Sequence, residues 1–413
     1  MVQSLRFRAA GVLVLALLAP AAIAQSTFVQ TVKQNFTSWD ANNDGVLSPD
    51  EVDRLTVDPK VRGDAAAAVA VMKLAMRSKK DPVAQFTLAE VEHAADAPLV
   101  VEGDAPLPAA AKNRDTFQTR YARAARVIRT VKRDLFRDPT PDLDGFHQGR
   151  IGDCFFVSMV GEMVEHDSQS VKRMIRPEAG GYDVTFGNGQ TVGVPALTDA
   201  EFALASTTGG EGIWLPVLEK AFGSVRMRSR AEDKQAQSMT DAIAGGGSIA
   251  MSIQYLSGHK AETLRLRGKA APTPGEREEL AARVKAKVIE AIKAGRLIGA
   301  GTDAAPGVPG ITPNHAFAIF GIDAQAGVLH LWNPHGNTFK PKGPAGLEHG
   351  YPTKGGRFDM PLGDFVATFR GVTFETGEAL ANPEEAAHLP GRKPRTPTAK
   401  ADAPKSPEQT THK

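Results

Sequence analysis

The stretch HQGRIGDCFFVSM, His147 to Met159, holds the single cysteine of this 413-residue chain. Gly149 and Gly152 precede Cys154 and predict a loop, and the apolar run after the cysteine predicts a helix that begins near it. A thiol at a helix N-terminus lies beside the positive end of the helix dipole, which lowers its pKa. This context favours a reactive thiol over the commoner buried and inert cysteine.

Gln148 lies a few residues upstream, where a bent loop can return its side-chain amide toward the sulfur of Cys154. With the backbone N–H of Cys154, that amide would provide two donors for an oxyanion that develops during attack on a carbonyl. The loop before the cysteine therefore predicts an oxyanion site as well as a nucleophile.

A second stretch, NHAFAIFGIDAQAGVLHLWNPHG, predicts two antiparallel strands joined by a turn centred near residue 325. Pairing about that centre places His315 and Asn333 side by side at the open end of the hairpin. A cysteine nucleophile needs a base and a group that orients the base. Asn333 can accept a hydrogen bond from one imidazole nitrogen of His315 and leave the other nitrogen for Cys154. A core histidine and an Asn-Pro turn would not explain why both residues fall at the same hairpin end.

Hydrophobic periodicity gives the coarse organisation of the chain. It predicts helices over 113–136, 154–165, 212–223 and 275–295, a hairpin over 182–194, and strands over 297–301, 315–322, 327–333 and 371–376. Helices come first and strands concentrate late, which favours an α+β fold over a doubly wound sheet.

These segments resemble the calpain-type cysteine proteases. QGRIGDCFF is similar to the family's Gln-Gly-x-x-Gly-Asp-Cys-aromatic signature, NHAFAIFGI to its histidine strand and WNPHG to its asparagine loop. WLPVLEKAFG, LIGAGT and FDMPLGDFVATF resemble further family segments in the same chain order. The resemblance implies a papain-like core of two lobes, with Cys154 on a helical lobe and His315 and Asn333 on a β-rich lobe. It implies hydrolysis of peptide bonds, in which Gln148 is an oxyanion donor.

The segments depart from the family pattern at three positions near the site. Asn314 stands where the family has glycine, and Phe155 stands where it has tryptophan. We expect both changes to be tolerated. His335 replaces the tryptophan that usually shields the histidine–asparagine pair, so we expect that hydrogen bond to be more open to water.

DANNDGVLSPDE, Asp40 to Glu51, matches the calcium loop of an EF-hand. The oxygen ligands would come from Asp40, Asn42, Asp44, Val46, Ser48 and Glu51. Further along, QFTLAEV repeats VLSPDEV and aligns Phe86 with Leu47 and Glu90 with Glu51, but the upstream ligand positions there cannot bind calcium. We predict an EF-hand pair over 25–96 with a degenerate second loop. A core calcium site is not expected, because Gly145 occupies the family's aspartate position.

A Pro- and Ala-rich linker over 97–112 would separate this pair from a protease domain over 113–376. We therefore expect calcium to hold the pair folded rather than to switch the active site. After Gly377 the chain is polar and Pro-rich, and we predict a disordered tail over 377–413.

Residues 1–24 have the pattern of a secretory signal, with a basic start, an apolar run and a cleavage pattern that ends at Ala24. No later stretch is apolar enough to span a membrane, so we expect a secreted or periplasmic protein. Lys+Arg 49 against Asp+Glu 47 gives a net charge of +2 and no basis for nucleic-acid binding.

We expect a calpain-like cysteine endopeptidase that acts on protein or peptide substrates and binds calcium. Two alternatives remain open. One is a catalytically impaired calpain-like module that binds partners and calcium. The other is an acyltransferase of the papain fold, which would use the same site residues.

Overall fold

The computed structural model describes residues 27–78, 82–94, 116–137, 140–228, 238–244, 246–267 and 273–381. The signal sequence predicted over 1–24 and the linker predicted over 97–112 lie outside these ranges, as does most of the tail predicted from residue 377. None of the helices in the described ranges combines the length and the apolar character needed to cross a membrane.

The chain is arranged in three parts along the sequence. The N-terminal unit, residues 28–94, contains α1 (Phe28–Trp39), β1 (Val46–Leu47), α2 (Pro49–Val57), α3 (Gly63–Met76), β2 (Phe86–Thr87) and α4 (Leu88–Ala94). The helical part contains α5 (Phe117–Thr130), β3 (Phe146–His147), α6 (Cys154–His166), α7 (Ser170–Met174), β4 (Ile175–Glu178), β5 (Gly181–Thr185), β6 (Thr191–Pro195), α8 (Asp199–Leu204), β7 (Thr207–Thr208), α9 (Trp214–Arg228), α10 (Met239–Ile243) and α11 (Ile249–Ser257). The sheet part contains β8 (His259–Arg265), α12 (Pro274–Lys293), β9 (Ile298–Thr302), β10 (Ala316–Asp323), β11 (Val328–Trp332), β12 (Arg357–Pro361), α13 (Leu362–Thr368) and β13 (Phe369–Ala379).

The six long strands of the sheet part form one antiparallel sheet in the order β12-β11-β10-β9-β13-β8. Within it, Ala318 pairs with Trp332 and Ile319 with Leu331, so the hairpin is centred near residue 325, and this prediction is confirmed. A bulge between Ile319 and Gly321 shifts the register toward the turn. The fold therefore mixes helices with antiparallel sheets, and the strands of the main sheet pair only in antiparallel fashion, unlike those of a doubly wound sheet.

The sheet part has its own apolar core, in which α12 and α13 cover one face of the strands. The helical part and the N-terminal unit share the other core. In that shared core the ring of Phe28 lies 5.4 Å from that of Phe117 and 6.3 Å from that of Tyr121. Thr198 Oγ1 donates to the carbonyl of Thr56 at 2.6 Å. The prediction that the N-terminal unit stands apart from the protease was therefore wrong, because its helices bury their apolar faces against α5 and α8.

Within the N-terminal unit, β1 and β2 form an antiparallel pair in which Leu47 lies opposite Phe86. These two residues are the ones that the internal repeat aligned. Both are fully or almost fully buried, so the pair ties the segment after α1 to the segment before α4.

Two predicted boundaries were wrong. The helix predicted over 113–136 is shorter in the described residues, and α5 ends at Thr130, where the Val131 N–H still bonds to Val127. β13 continues to Ala379 and pairs with β8 at His259, past the residue where we placed the start of the tail. Pairing with an edge strand supplies the hydrogen bonds that composition alone could not predict.

Candidate active site

Helix α6 begins at Cys154, as the sequence predicts. The loop before it passes so close to α8 that a Cβ added at Gly149 would lie 2.2 Å from the carbonyl carbon of Ala205. The loop is also fixed by a hydrogen bond from Gly246 N to the carbonyl of Gly152, at 3.1 Å. The position of the cysteine is therefore set by backbone contacts on both sides of its loop.

Helix α6 packs against strand β10, which brings Cys154 beside the residue that follows His315. The thiol has a hydrogen-bonding contact with the backbone N–H of Ala316. Cys154 itself is partly exposed at the surface of the cleft. Cys154 from the helical part and His315 from the sheet part thus lie in the cleft where the two parts join.

His315 and Asn333 lie together at the open end of the β10–β11 hairpin. The imidazole Nε2 is 2.8 Å from Asn333 Oδ1, and because an amide oxygen only accepts, Nε2 carries the proton. Asn333 Nδ2 donates to Thr312 Oγ1 at 3.2 Å, which fixes the amide in this orientation. The tautomer leaves Nδ1 of His315 as the basic nitrogen of the ring.

His335 stacks on His315, with ring centroids 4.2 Å apart and an angle of 27° between the planes. Its backbone N–H also donates to Asn333 Oδ1 at 3.0 Å. His315 is only 6% exposed and Asn333 1% exposed. The expectation that His335 leaves this hydrogen bond open to water was therefore wrong, because the imidazole covers the pair as a flat ring.

The backbone of Asn314 explains why one departure from the family pattern is tolerated. Its φ of 48° lies in the left-handed region, which favours glycine and which asparagine enters more easily than most other residues. Its N–H donates to the carbonyl of Asp303 at 2.8 Å. The strand therefore enters the site in the conformation that glycine would give.

The thiol is not the low-pKa group that its helix-tip position predicts. Burial raises the pKa of Cys154 to about 11, and the nearby charge of Asp153 raises it further, while backbone N–H groups, that of Ala316 first, oppose the rise. The helix dipole is outweighed because the cleft removes water from the sulfur. Burial likewise lowers the pKa of His315 well below its usual range, and His335 lowers it further.

Gln148 is held at the same end of the cleft. Its backbone N–H donates to the carbonyl of Pro334 at 2.8 Å, which connects the cysteine loop to the asparagine loop. Its side-chain Nε2 lies 3.4 Å from Asp153 Oδ1. One of the two amide hydrogens is therefore directed at Asp153, and the other can face the cleft.

Two buried acids beside the site were missed by the sequence analysis. Asp153 is fully buried and Glu219 on α9 is 1% exposed, and their carboxyl groups are in hydrogen-bonding contact. Glu219 also accepts from the N–H of Ser206 at 2.9 Å. The available signal was a glutamate within the apolar run of α9, where a charged residue is not expected without a partner.

The predicted calcium loop joins α1 to α2 and is held by its own side chains. Asp40 Oδ2 accepts from Gly45 N at 2.9 Å, and Asp44 Oδ1 accepts from Val46 N at 3.0 Å. Glu51 accepts from Ala41 N through one oxygen and from Ser48 N through the other, both at 2.9 Å. The acidic side chains are therefore engaged with loop amides in this conformation.

Within the described ranges, no three His, Cys, Asp or Glu side chains lie together in an arrangement that could hold a metal ion. The predicted calcium loop would not rely on such side chains alone. Half of its ligands would be the amide oxygen of Asn42, the backbone carbonyl of Val46 and the hydroxyl of Ser48. Calcium binding would require Glu51 to exchange its present hydrogen bonds for the ion.

The sequence that forms this site matches known proteins. A model of the calpain family cysteine protease matches residues 101–344, which include Gln148, Cys154, His315 and Asn333. The calpain-type cysteine proteases DEK1 of Zea mays and ADL1 of Oryza sativa subsp. japonica are each 27% identical over 255 residues, which cover 54% of this chain. The matched region spans only 11% of each of those relatives. Because the family model covers more than half of the chain, the chain belongs to the calpain family of cysteine proteases.

Proposed function

We propose that this chain is an exported, calcium-binding endopeptidase that hydrolyses peptide bonds through Cys154, His315 and Asn333. The observation that carries the proposal is the 2.8 Å hydrogen bond between His315 Nε2 and Asn333 Oδ1, beside a helix whose first residue is the cysteine. That bond selects the tautomer in which Nδ1 is free to act as a base. The proposal of export rests on the apolar N-terminal sequence.

In the first half of the reaction, His315 Nδ1 removes the proton from Cys154 Sγ as the sulfur attacks the substrate carbonyl. Because both groups favour their neutral forms, proton transfer accompanies the attack rather than preceding it. The oxyanion receives hydrogen bonds from the backbone N–H of Cys154 and the side chain of Gln148. When the C–N bond breaks, the imidazolium returns its proton to the leaving amine.

In the second half, a water molecule attacks the thioester, and His315 Nδ1 takes one of its protons. The second tetrahedral intermediate collapses, the C–S bond breaks, and the proton passes to the sulfur as the acid is released. Asn333 keeps the imidazole plane fixed through both halves and accepts the Nε2 hydrogen throughout.

For calcium, the oxygen ligands would come from the loop Asp40–Glu51 of the N-terminal unit. Carboxylate, amide, hydroxyl and carbonyl oxygens are the hard donors that calcium prefers. The antiparallel pair of Leu47 with Phe86 supports the proposal, because a calcium loop of this kind pairs with a second loop. The bound ion would neutralise the acids of the loop and fix the angle between α1 and α2.

Digestion of a peptide library by wild type and by Cys154→Ala tests the activity. We expect the variant to be inactive but folded, and His315→Ala to be nearly as inactive, since the two residues act as a unit. His330→Ala is the matched control, because that histidine lies on β11 but forms an exposed pair with Asp359. Proteolysis that persists in purified Cys154→Ala would contradict the proposal.

The same digest distinguishes the two alternatives. An acyltransferase would give amide products when acyl-acceptor amines are added, whereas a hydrolase gives free acids in the presence and absence of amines. A binding module that has lost catalysis would give no products from wild type, although Cys154 would still react with an alkylating reagent.

A further inference from the structure

We propose that Asp153 and Glu219 form a buried acid pair that shares one proton and positions Gln148 to donate to the oxyanion. Both are then positioning residues of the hydrolytic site, and the inference rests on the proposed function. Asp153 acts on the site through its hydrogen bond to Gln148, and its charge also raises the pKa of the Cys154 thiol.

The first step of the argument is that the pair cannot carry two charges. Both side chains are buried and their carboxyl groups are in contact. Two carboxylates that touch in a buried site cannot both ionise, because repulsion and the loss of water act together. A shared proton also gives a partner to Asp153 Oδ2, which has no other hydrogen-bond partner among the described residues.

The second step assigns the proton to Glu219. Burial raises the pKa of Glu219 well above its usual range, and the neighbouring Asp153 raises it further. Burial raises the pKa of Asp153 to about 6, but hydrogen bonds from Glu219 and Gln148 and the charge of Arg226 oppose the rise. At neutral pH the protonated Glu219 therefore donates to an ionised Asp153.

The third step connects the pair to the oxyanion site. Asp153 Oδ1 accepts one hydrogen of the Gln148 amide at 3.4 Å, which leaves the other hydrogen available to the oxyanion. Ser206 extends the network, because its hydroxyl accepts from Gly149 N at 3.0 Å while its own N–H donates to Glu219. The two acids thus hold the loop that carries Gln148, Glu219 by its backbone through Ser206 and Asp153 by the Gln148 side chain.

Paired substitutions in the full chain test the positioning role. Gln148→Ala should lower kcat about 10²–10³-fold, the typical loss for one oxyanion donor. Asp153→Ala removes the acceptor for the Gln148 amide and should lower kcat with little change in KM. The double variant should be no slower than Gln148→Ala alone, because Asp153 acts through the amide that is already gone. Losses that multiply in the double variant would overturn the proposal.

Glu219 offers a second test that does not depend on altering the residue next to the cysteine. Glu219→Gln keeps a donor for Asp153 Oδ2 and should retain most of kcat, whereas Glu219→Ala leaves that oxygen without a donor and should lose kcat as Asp153→Ala does. Glu162→Gln is the matched control, because Glu162 is another fully buried glutamate. It lies in the C-terminal half of α6, and burial raises its pKa to about 7. Equal losses in both Glu219 variants would contradict the positioning role.

Infrared difference spectra across a pH titration test the shared proton without any turnover. In the Glu162→Gln background, which removes the other buried glutamate whose pKa burial raises, the chain should show the carbonyl band of a buried protonated acid at neutral pH, and adding Glu219→Gln should remove it. The absence of this band in the Glu162→Gln background, or its persistence when Glu219→Gln is added, would overturn the proposal. A wild type that cleaves no peptide, with the band present in the Glu162→Gln background, would refute the proposed endopeptidase and leave the acid pair intact.

Discussion

The Cys154 thiol and the His315 imidazole are both held in surroundings that favour their uncharged forms. Burial is the largest cause for each, and it acts in opposite directions on the two pKa values because one group is an acid and the other a base. The resting pair is therefore neutral, and in the proposed reaction His315 acts as a general base.

This neutral pair predicts the acid limb of the pH profile. The free base form of His315 is needed, and its pKa lies below the usual value for histidine, so kcat/KM should persist as pH falls through 6.5 and decline only below that. In His335→Phe the stacked ring remains but its charge is gone, so the pKa of His315 should rise and the acid limb should move to higher pH. His330→Phe is the control, because it replaces an exposed histidine that pairs with Asp359, and it should leave the acid limb where it is in wild type. An acid limb that stays in place or moves to lower pH in His335→Phe would contradict this reasoning.

The second prediction at this scale concerns Thr312, which accepts from the Asn333 amide. Thr312→Val leaves that buried donor without its partner, which costs about 1–3 kcal/mol. We expect kcat to fall about tenfold, equivalent to about 1.4 kcal/mol, and less than in Asn333→Ala. Thr353→Val is the control, because Thr353 is also buried but bonds to Tyr351. Similar kcat losses in the two threonine variants would show a general structural effect.

At the scale of elements, the site depends on how α6 crosses strands β10 and β11. Trp332 is the last residue of β11, is fully buried, and directly precedes Asn333. Its indole N–H donates to the carbonyl of Gly355 at 3.1 Å. A Cβ added at Gly161 would lie 2.2 Å from Cζ3 of that indole. The Trp332 ring packed against Gly161 thus sets the distance between α6 and β11.

Gly161→Ala should therefore disturb both stability and catalysis. The added methyl group must displace the Trp332 ring or α6, and overpacking of this kind costs about 1–3 kcal/mol. We expect a lower Tm and a lower kcat, since either movement shifts Asn333 relative to Cys154. Gly275→Ala is the matched control: that glycine lies on helix α12 with nothing within 4 Å of an added Cβ. A Gly161→Ala variant with the Tm and kcat of wild type would rule out this account of the packing.

The elements that could be predicted from the sequence are those fixed by local pattern. The alternation of residues and the turn near residue 325 determine the β10–β11 register, and that register alone brings His315 beside Asn333. Helix α6 could be predicted because its apolar run follows a glycine loop. The strand β12 was not predicted, because its segment is short and its burial depends on pairing with β11.

Features that depend on distant packing could not be predicted. Asp153 and Glu219 meet only because α9 packs behind the cysteine loop, and nothing near either residue in the sequence specifies that contact. The direction of the Cys154 pKa shift was wrong for the same reason. The helix dipole is a local property, whereas desolvation depends on which strand covers the sulfur.

At the scale of the whole molecule, the N-terminal unit is attached to the helical part by charge as well as by its apolar core. Lys73 on α3 forms ion pairs with Asp53 on α2 and with Asp241 on α10, the latter at 2.7 Å. A cavity between α3 and α5 has Gly149 and Arg150 in its wall. The helix that follows the predicted calcium loop is thus connected to α10, and its neighbour α3 lines a cavity whose wall also includes the loop that carries Gln148.

This packing changes what calcium is expected to do. Because the N-terminal unit and the helical part share one core, the ion should raise the Tm of both together rather than of a separate unit. We expect one calcium per chain, bound at Asp40–Glu51 with a Kd of about 10⁻⁴–10⁻³ M. At 10 mM calcium that range corresponds to about 1.4–2.7 kcal/mol of stabilisation. Chelation should also lower kcat, since a looser α3 no longer supports the loop before Cys154.

Titration calorimetry and thermal unfolding with and without calcium decide between these expectations. Glu51→Gln should lose binding, the calcium-dependent rise in Tm and the calcium-dependent part of kcat. Glu90→Gln is the matched control, because that glutamate caps the start of α4 through Thr87 as Glu51 caps α2 through Ser48, but its loop lacks the upstream ligands. Unchanged binding in Glu51→Gln would remove the proposed site. A rise in Tm with no change in kcat would show that the N-terminal unit is stabilised by calcium without affecting the loop that holds Gln148.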